Sequence, residues 1–194
     1  MAHTAAGKLQ GYADDAYWYE AAYVYGLTNG INAVADGVRV PLDFSDGPGR
    51  TPLVRLIELE EASNPVERIY QDIQAFYQTA GVPNVFKVLA HDEGYLRDYW
   101  AAVRFVFTDR RLDRLTKEAV ALAASMAAKS DYGVDLHLRE VRRLGLSEKG
   151  VMEVIEVVQL FSCYTKIADG LQLEPDFTRL LEAATSEAWA GPQR

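Results

Sequence analysis

The sequence predicts an all-α protein. Apolar residues recur at helical spacing in one segment after another, cap and stop signals bracket those segments, and alternating strand patterns are nearly absent. The one strand candidate, Gly37-Val38-Arg39-Val40-Pro41, is too short and too close to a proline to anchor a sheet. A length of 194 residues suits one domain, or one domain with an appended arm.

The first helix is expected from Asp14 to Ala35, stopped by Gly37. Pro, Gly, Asp and Ser then cluster from Pro41 to Arg50, which reads as a linker between an amino-terminal helical arm (residues 1–48) and a main domain (49–194). Asn64-Pro65 supplies a cap followed by proline in the first turn, opening a helix to about Thr79. Gly81-Val82-Pro83-Asn84 breaks the chain, and a short helix follows through Leu89. Another covers Glu93 to Phe107. Asp113 caps a long helix ending near Ala128, Asp131 opens one that ends at Gly145, and Ser147 starts one running to Gly170. A last helix is expected from Pro175 to Ala188.

Tyr12, Tyr17, Trp18, Tyr19, Tyr23 and Tyr25 put aromatics all round the arm. Such a helix seeks burial, either against another subunit or across its own core. A shift of 133 residues aligns Glu20, Val24, Leu27, Ala35, Asp36, Gly37, Asp43 and Phe44 with identical residues from Glu153 to Phe177, eight identities across 25 positions. The arm therefore reads as the tail of an earlier copy of the domain.

Apolar types make up 49% of the chain, enough for a sizeable core. The net charge of −8 repels phosphate backbones and anionic lipid heads, which argues against nucleic-acid and membrane-surface roles. The longest apolar run, Ala119 to Ala128, is about half of a bilayer span and is interrupted by Ser125. Met1 to Asp15 has one lysine and no apolar block, unlike a secretory signal. Cys163 is the sole cysteine, so no intrachain disulfide forms, a reducing cytoplasm is expected, and any mechanism needing two thiols in one chain is excluded. Its neighbours Leu160, Phe161 and Tyr164 suggest an inert, buried thiol.

Among the histidines, His3 lies near the terminus and His91 at a helix end, where capping is its expected role. His137 differs, because Val134, Val141 and Leu144 place it on the apolar face of its helix. In the preceding helix Glu118 lies between Leu115 and Leu122 on the buried stripe that continues to Met126. A carboxyl there needs a partner or a raised pKa, and glutamates such as Glu140 and Glu153 are expected to face outward instead. The pair suits acid/base catalysis, and equally a buried hydrogen bond that orients two helices. No metal-ligand spacing, phosphate-cradling loop or nucleophile elbow is present, so neither metal nor cofactor is implied.

Glu118, eleven residues, Ser130-Asp131-Tyr132-Gly133, three residues and His137 together resemble the frame of the AhpD-like alkylhydroperoxidase and carboxymuconolactone decarboxylase superfamily. Its peroxidases carry Glu, eleven residues, Cys-x-x-Cys, three residues and His. Gly81 to Phe86, Leu112-Asp113-Arg114-Leu115, Leu144-Gly145-Leu146-Ser147 and Ile167 to Leu171 resemble the family's flanking segments. The resemblance implies an AhpD-like helical domain, assembly into trimers or hexamers, and a small-molecule substrate.

Ser130 and Gly133 stand where the peroxidases keep their cysteines, so a dithiol peroxidase is not expected. By this resemblance His137 moves the proton, Glu118 sets its tautomer or acts as the acid, and Ser130 and Tyr132 donate hydrogen bonds to a substrate anion. Three readings follow: a cofactor-free acid/base enzyme acting on a small organic acid or lactone; a haloacid-dehalogenase-like hydrolase using Asp131 or Asp135; and a non-catalytic oligomerising or partner-binding module.

Overall fold

The structure, a computed structural model, describes residues 16–47 and 49–173. Among them are seven α-helices: α1 (Ala16–Gly37), α2 (Asn64–Tyr77), α3 (Asn84–Leu89), α4 (Glu93–Phe107), α5 (Arg114–Ala128), α6 (Asp131–Arg143) and α7 (Glu148–Gly170), with a 3-10 turn at Leu59–Glu61. No strand occurs among the described residues, so the all-α expectation is met. The expected helix at Pro175–Ala188 lies outside the described residues.

Local chemistry explains the boundaries. Ser63, rather than Asn64, caps α2, its hydroxyl accepting from the Val66 N–H at 3.4 Å. Asp92 and Asp113 cap α4 and α5 in the same way, through the N–H groups of Tyr95 and Thr116. Helix α5 closes on Lys129 in the left-handed region (φ 58°), and Ser130 at once caps α6 through the Gly133 N–H at 3.1 Å. This corner of only two residues folds α5 and α6 back on each other. Gly145, at φ 96°, ends α6, a conformation that glycine adopts without steric penalty.

The described residues fall into two units, 16–158 and 159–173. In the first, α1 packs on α4, α5 and α6, and α2 on α4. Its main core joins Val24, Ile31 and Ala35 of α1 to Tyr70, Ile73, Phe86, Leu96, Trp100 and Leu136. A smaller cluster joins Leu122, Val141 and Val151. Buried Lys117 fastens α1, binding Glu20 at 3.0 Å while Glu20 accepts the N–H groups of Arg111 and Leu112. In the second unit the described residues 159–173 finish α7, with Leu160, Phe161 and Tyr164 exposed. Cys163 is exposed as well, contrary to the expectation of burial. A helical neighbourhood of apolar residues predicts burial only where that face meets a partner.

The two ends of the sequence echo share a turn. Val38, Arg39 and Val40 donate to the carbonyls of Val34, Asp36 and Ala35, and 133 residues later Leu171, Gln172 and Leu173 donate to those of Ile167, Asp169 and Ala168. Arg39 and Gln172 both adopt positive φ.

Candidate active site

The α5–α6 corner brings Glu118 opposite His137, and His137 Nδ1 lies 2.7 Å from Glu118 Oε2. Both side chains are buried. Arg114, one turn before Glu118, donates through Nε to Glu118 Oε1 at 2.7 Å and through Nη2 to Glu140 Oε2 at 3.2 Å. Its guanidinium lies 3.8 Å from the centre of the Phe76 ring. Burial pulls the Glu118 carboxyl upward, but the His137 hydrogen bond and charge and the Arg114 charge outweigh it, holding the group below its ordinary value. An ionised Glu118 accepts from Nδ1–H, so whenever the ring is neutral its lone pair is on Nε2. The ring stacks against Phe107 at 6.0 Å between centroids.

Nε2 is buried without a hydrogen-bond partner, and His137 lines a small chamber. The chamber measures about 20 Å³, enough for about one water molecule. Hydrocarbon and aromatic groups dominate its wall, including Ile31, Val85, Phe86, Val103 and Leu136. Thr28, from α1, also lines it with a buried, unpartnered hydroxyl. Thr28 has no sequence signal of its own, because only the docking of α1 carries it to His137.

Ser130 and Tyr132 do not line this chamber. The Ser130 hydroxyl caps α6. The Tyr132 hydroxyl donates to Asp43 Oδ2 at 2.5 Å and accepts from the Val85 N–H. Burial above all raises the Asp43 carboxyl to about 6, against the pull of Tyr132 and the Asn84 N–H. Asp135 accepts the N–H groups of Asp43 and Phe44, and Asp131, 72% exposed, pairs with Arg50. Neither aspartate lines the chamber, which leaves the hydrolytic reading without an aspartate beside His137.

Glu140 corrects the expectation of an outward glutamate. It is completely buried and accepts from Arg114, Arg139 and Arg143. The signal lay in the arginines: three guanidinium groups can neutralise and hydrogen-bond one buried carboxylate from partly exposed positions. Glu153, 66% exposed, faces outward as expected.

The second thiol position is filled. A Cβ at Gly133 would lie 2.1 Å from Asn32 Oδ1 and 2.4 Å from Ser125 Oγ. Asn32 Nδ2 donates to Ser125 Oγ at 3.1 Å, and Ser125 in turn donates to the Ala121 carbonyl. An amide from α1 therefore occupies the space next to Gly133. Among the described residues no group of three or more His, Cys, Asp or Glu is placed to hold a metal ion, and no helix is long and apolar enough to cross a membrane.

Residues 94–173 match the carboxymuconolactone decarboxylase family model. The fold is similar to the crystal structure of the alkylhydroperoxidase AhpD core from Rhodospirillum rubrum, at 26% identity and a TM-score of 0.58, covering 66% of this chain and 96% of that one. No curated protein matches the chain. The matched segment contains Glu118 on α5 and His137 on α6. By sequence pattern over residues 94–173 and by fold, the chain is similar to the AhpD-like/carboxymuconolactone decarboxylase superfamily.

Proposed function

We propose that the protein is a cofactor-free acid/base enzyme acting at carbon on a small organic acid or lactone, and that it is not a dithiol peroxidase. One observation carries the reading: His137 has one nitrogen fixed by an anionic Glu118 and the other buried and unpartnered, in a residue that lines a chamber. A histidine serving only to orient two helices needs no such second face.

In the proposed step a proton passes from the carbon beside a carbonyl to His137 Nε2. The C–H electron pair becomes an enolate, and Glu118 balances the imidazolium through Nδ1. The imidazolium returns a proton to carbon. In a decarboxylation the bond to the carboxylate breaks, carbon dioxide leaves with the pair remaining on carbon, and the imidazolium supplies the proton, to be recharged from water. Redox chemistry at positions 130 and 133 has no thiol to start from.

The test is proton exchange in deuterated water, followed by NMR, with an unsubstituted γ-lactone and a carboxylated one as substrates. The protein should catalyse deuterium incorporation beside the lactone carbonyl or release of carbon dioxide from the carboxylated lactone, and Glu118→Gln and His137→Gln should each slow this by about 100-fold or more. Equal rates in wild type and both variants would overturn the reading, as would thiol-dependent consumption of an alkyl hydroperoxide.

A further inference from the structure

We propose that Thr28 is a substrate-contacting residue: its hydroxyl donates to the carbonyl oxygen of a neutral ligand whose acidic C–H faces His137 Nε2 and whose apolar body lies in the groove across Leu27. The inference rests on the acid/base reading of His137 and, of the two substrate classes in that reading, keeps the neutral lactone or ketone and drops the free organic acid.

Thr28 breaks a local rule. A helical threonine or serine usually returns its hydroxyl to the carbonyl one turn back, as Thr108 does to Arg104, Ser125 to Ala121 and Thr165 to Phe161. The Thr28 hydroxyl has no partner although the residue is only 2% exposed. It shares this state with His137 Nε2, and both residues line the same chamber. A buried donor and a buried base set on one small space suit a carbonyl compound, whose oxygen takes the donor while the neighbouring carbon gives up its proton.

Charge selects a neutral head. The nearby guanidinium, Arg114, is committed to Glu118 and Glu140. An anion entering the chamber would lose its hydration beside an ionised Glu118, without a free cation on the chamber wall. Volume selects where the rest of the ligand goes. The chamber takes only the head, and Leu27, half-buried, also borders a groove of about 520 Å³ between α1 and α4. Tyr19, Ala22, Tyr23, Gly26, Phe105 and Val106 line that groove, and no charged side chain does.

Binding is read from the ring nitrogens of ¹⁵N-histidine-labelled full-length protein, titrated with cyclohexanone and, separately, with cyclohexanecarboxylate. Cyclohexanone should shift the His137 Nε2 resonance saturably, and the carboxylate should not. Thr28→Val, which removes the hydroxyl and nothing else of size, should weaken ketone binding at least tenfold without lowering thermal stability, and Thr28→Ser should retain binding. Gly26→Leu, whose Cβ meets nothing within 4 Å, should block the groove and abolish binding. The proposal is overturned if the ketone produces no shift, if the carboxylate binds equally well, or if Thr28→Val binds like wild type. Ketone binding that follows these variants, with no proton exchange in deuterated water, would remove the acid/base reading and leave the ligand assignment standing.

Discussion

Replacing Gly133 by alanine tests whether the space beside it, where the resembling peroxidases carry their second cysteine, is closed. On helix propensity alone the change should stabilise α6 by up to about 1 kcal/mol. The added methyl, however, meets Asn32 Oδ1 at 2.1 Å and Ser125 Oγ at 2.4 Å. Asn32 is buried and hydrogen-bonded to Ser125, so its amide cannot swing into solvent. Overpacking of this kind costs about 1–3 kcal/mol, and breaking the Asn32–Ser125 bond adds about 1. Set against the propensity gain, Gly133→Ala should lose about 1–3 kcal/mol. Urea unfolding of wild type, Gly133→Ala, Asn32→Ala and the double variant forms a complete cycle. Truncating Asn32 empties the contested space, so the double variant should be more stable than the sum of the single changes predicts, by about 1 kcal/mol or more. A Gly133→Ala protein more stable than wild type, or a cycle that closes additively, would refute the packing argument.

Three further outcomes are expected. Glu140→Ala should cost about 3 kcal/mol, because it leaves the guanidinium groups of Arg114, Arg139 and Arg143 gathered without their carboxylate; a loss below about 1 kcal/mol in denaturant titrations would mean that water already screens them. Asp43 keeps its proton to about pH 6 in the folded chain but releases it near 4 when unfolded, so stability should fall as pH rises between these values, by up to about 3 kcal/mol. Asp43→Asn should flatten that slope, and an unchanged profile would rule out Asp43 as its source. Glu118 has the opposite sign: its lowered carboxyl stabilises the fold above the unfolded value near 4.5, and that contribution should vanish in acid and be absent from the acid-unfolding curve of Glu118→Gln.

The sequence made the helices legible because their punctuation is chemical. Aspartates at 92 and 113 cap α4 and α5, and glycine at 145 allows the turn after α6. Periodicity also placed Glu118 and His137 on facing stripes, where the structure joins them at 2.7 Å. Interactions crossing long stretches of chain stayed hidden. Asn32 reaches Ser125, Thr28 joins His137 and Lys117 binds Glu20, and in each case the pairing depends on how α1 docks rather than on any nearby spacing. Glu140 was misread because a glutamate on an arginine-rich helix looks like part of a solvated face. Ser130 and Tyr132 stand at positions marked by the resemblance, yet their hydroxyls serve a helix cap and Asp43.

The wall that α1 contributes brings residues from far apart in the chain around one chamber. Glu118 and His137 fall within the segment that carries the family pattern, while Leu27, Thr28, Ile31, Tyr77, Val85 and Phe86 come from earlier in the sequence. Substitutions in those earlier stretches would reshape the chamber wall without touching the Glu118–His137 contact. Under the acid/base reading proposed for His137, the fit of a substrate is therefore set jointly by these earlier residues and by Tyr99, Val103, Phe107 and Leu136 inside the matched segment.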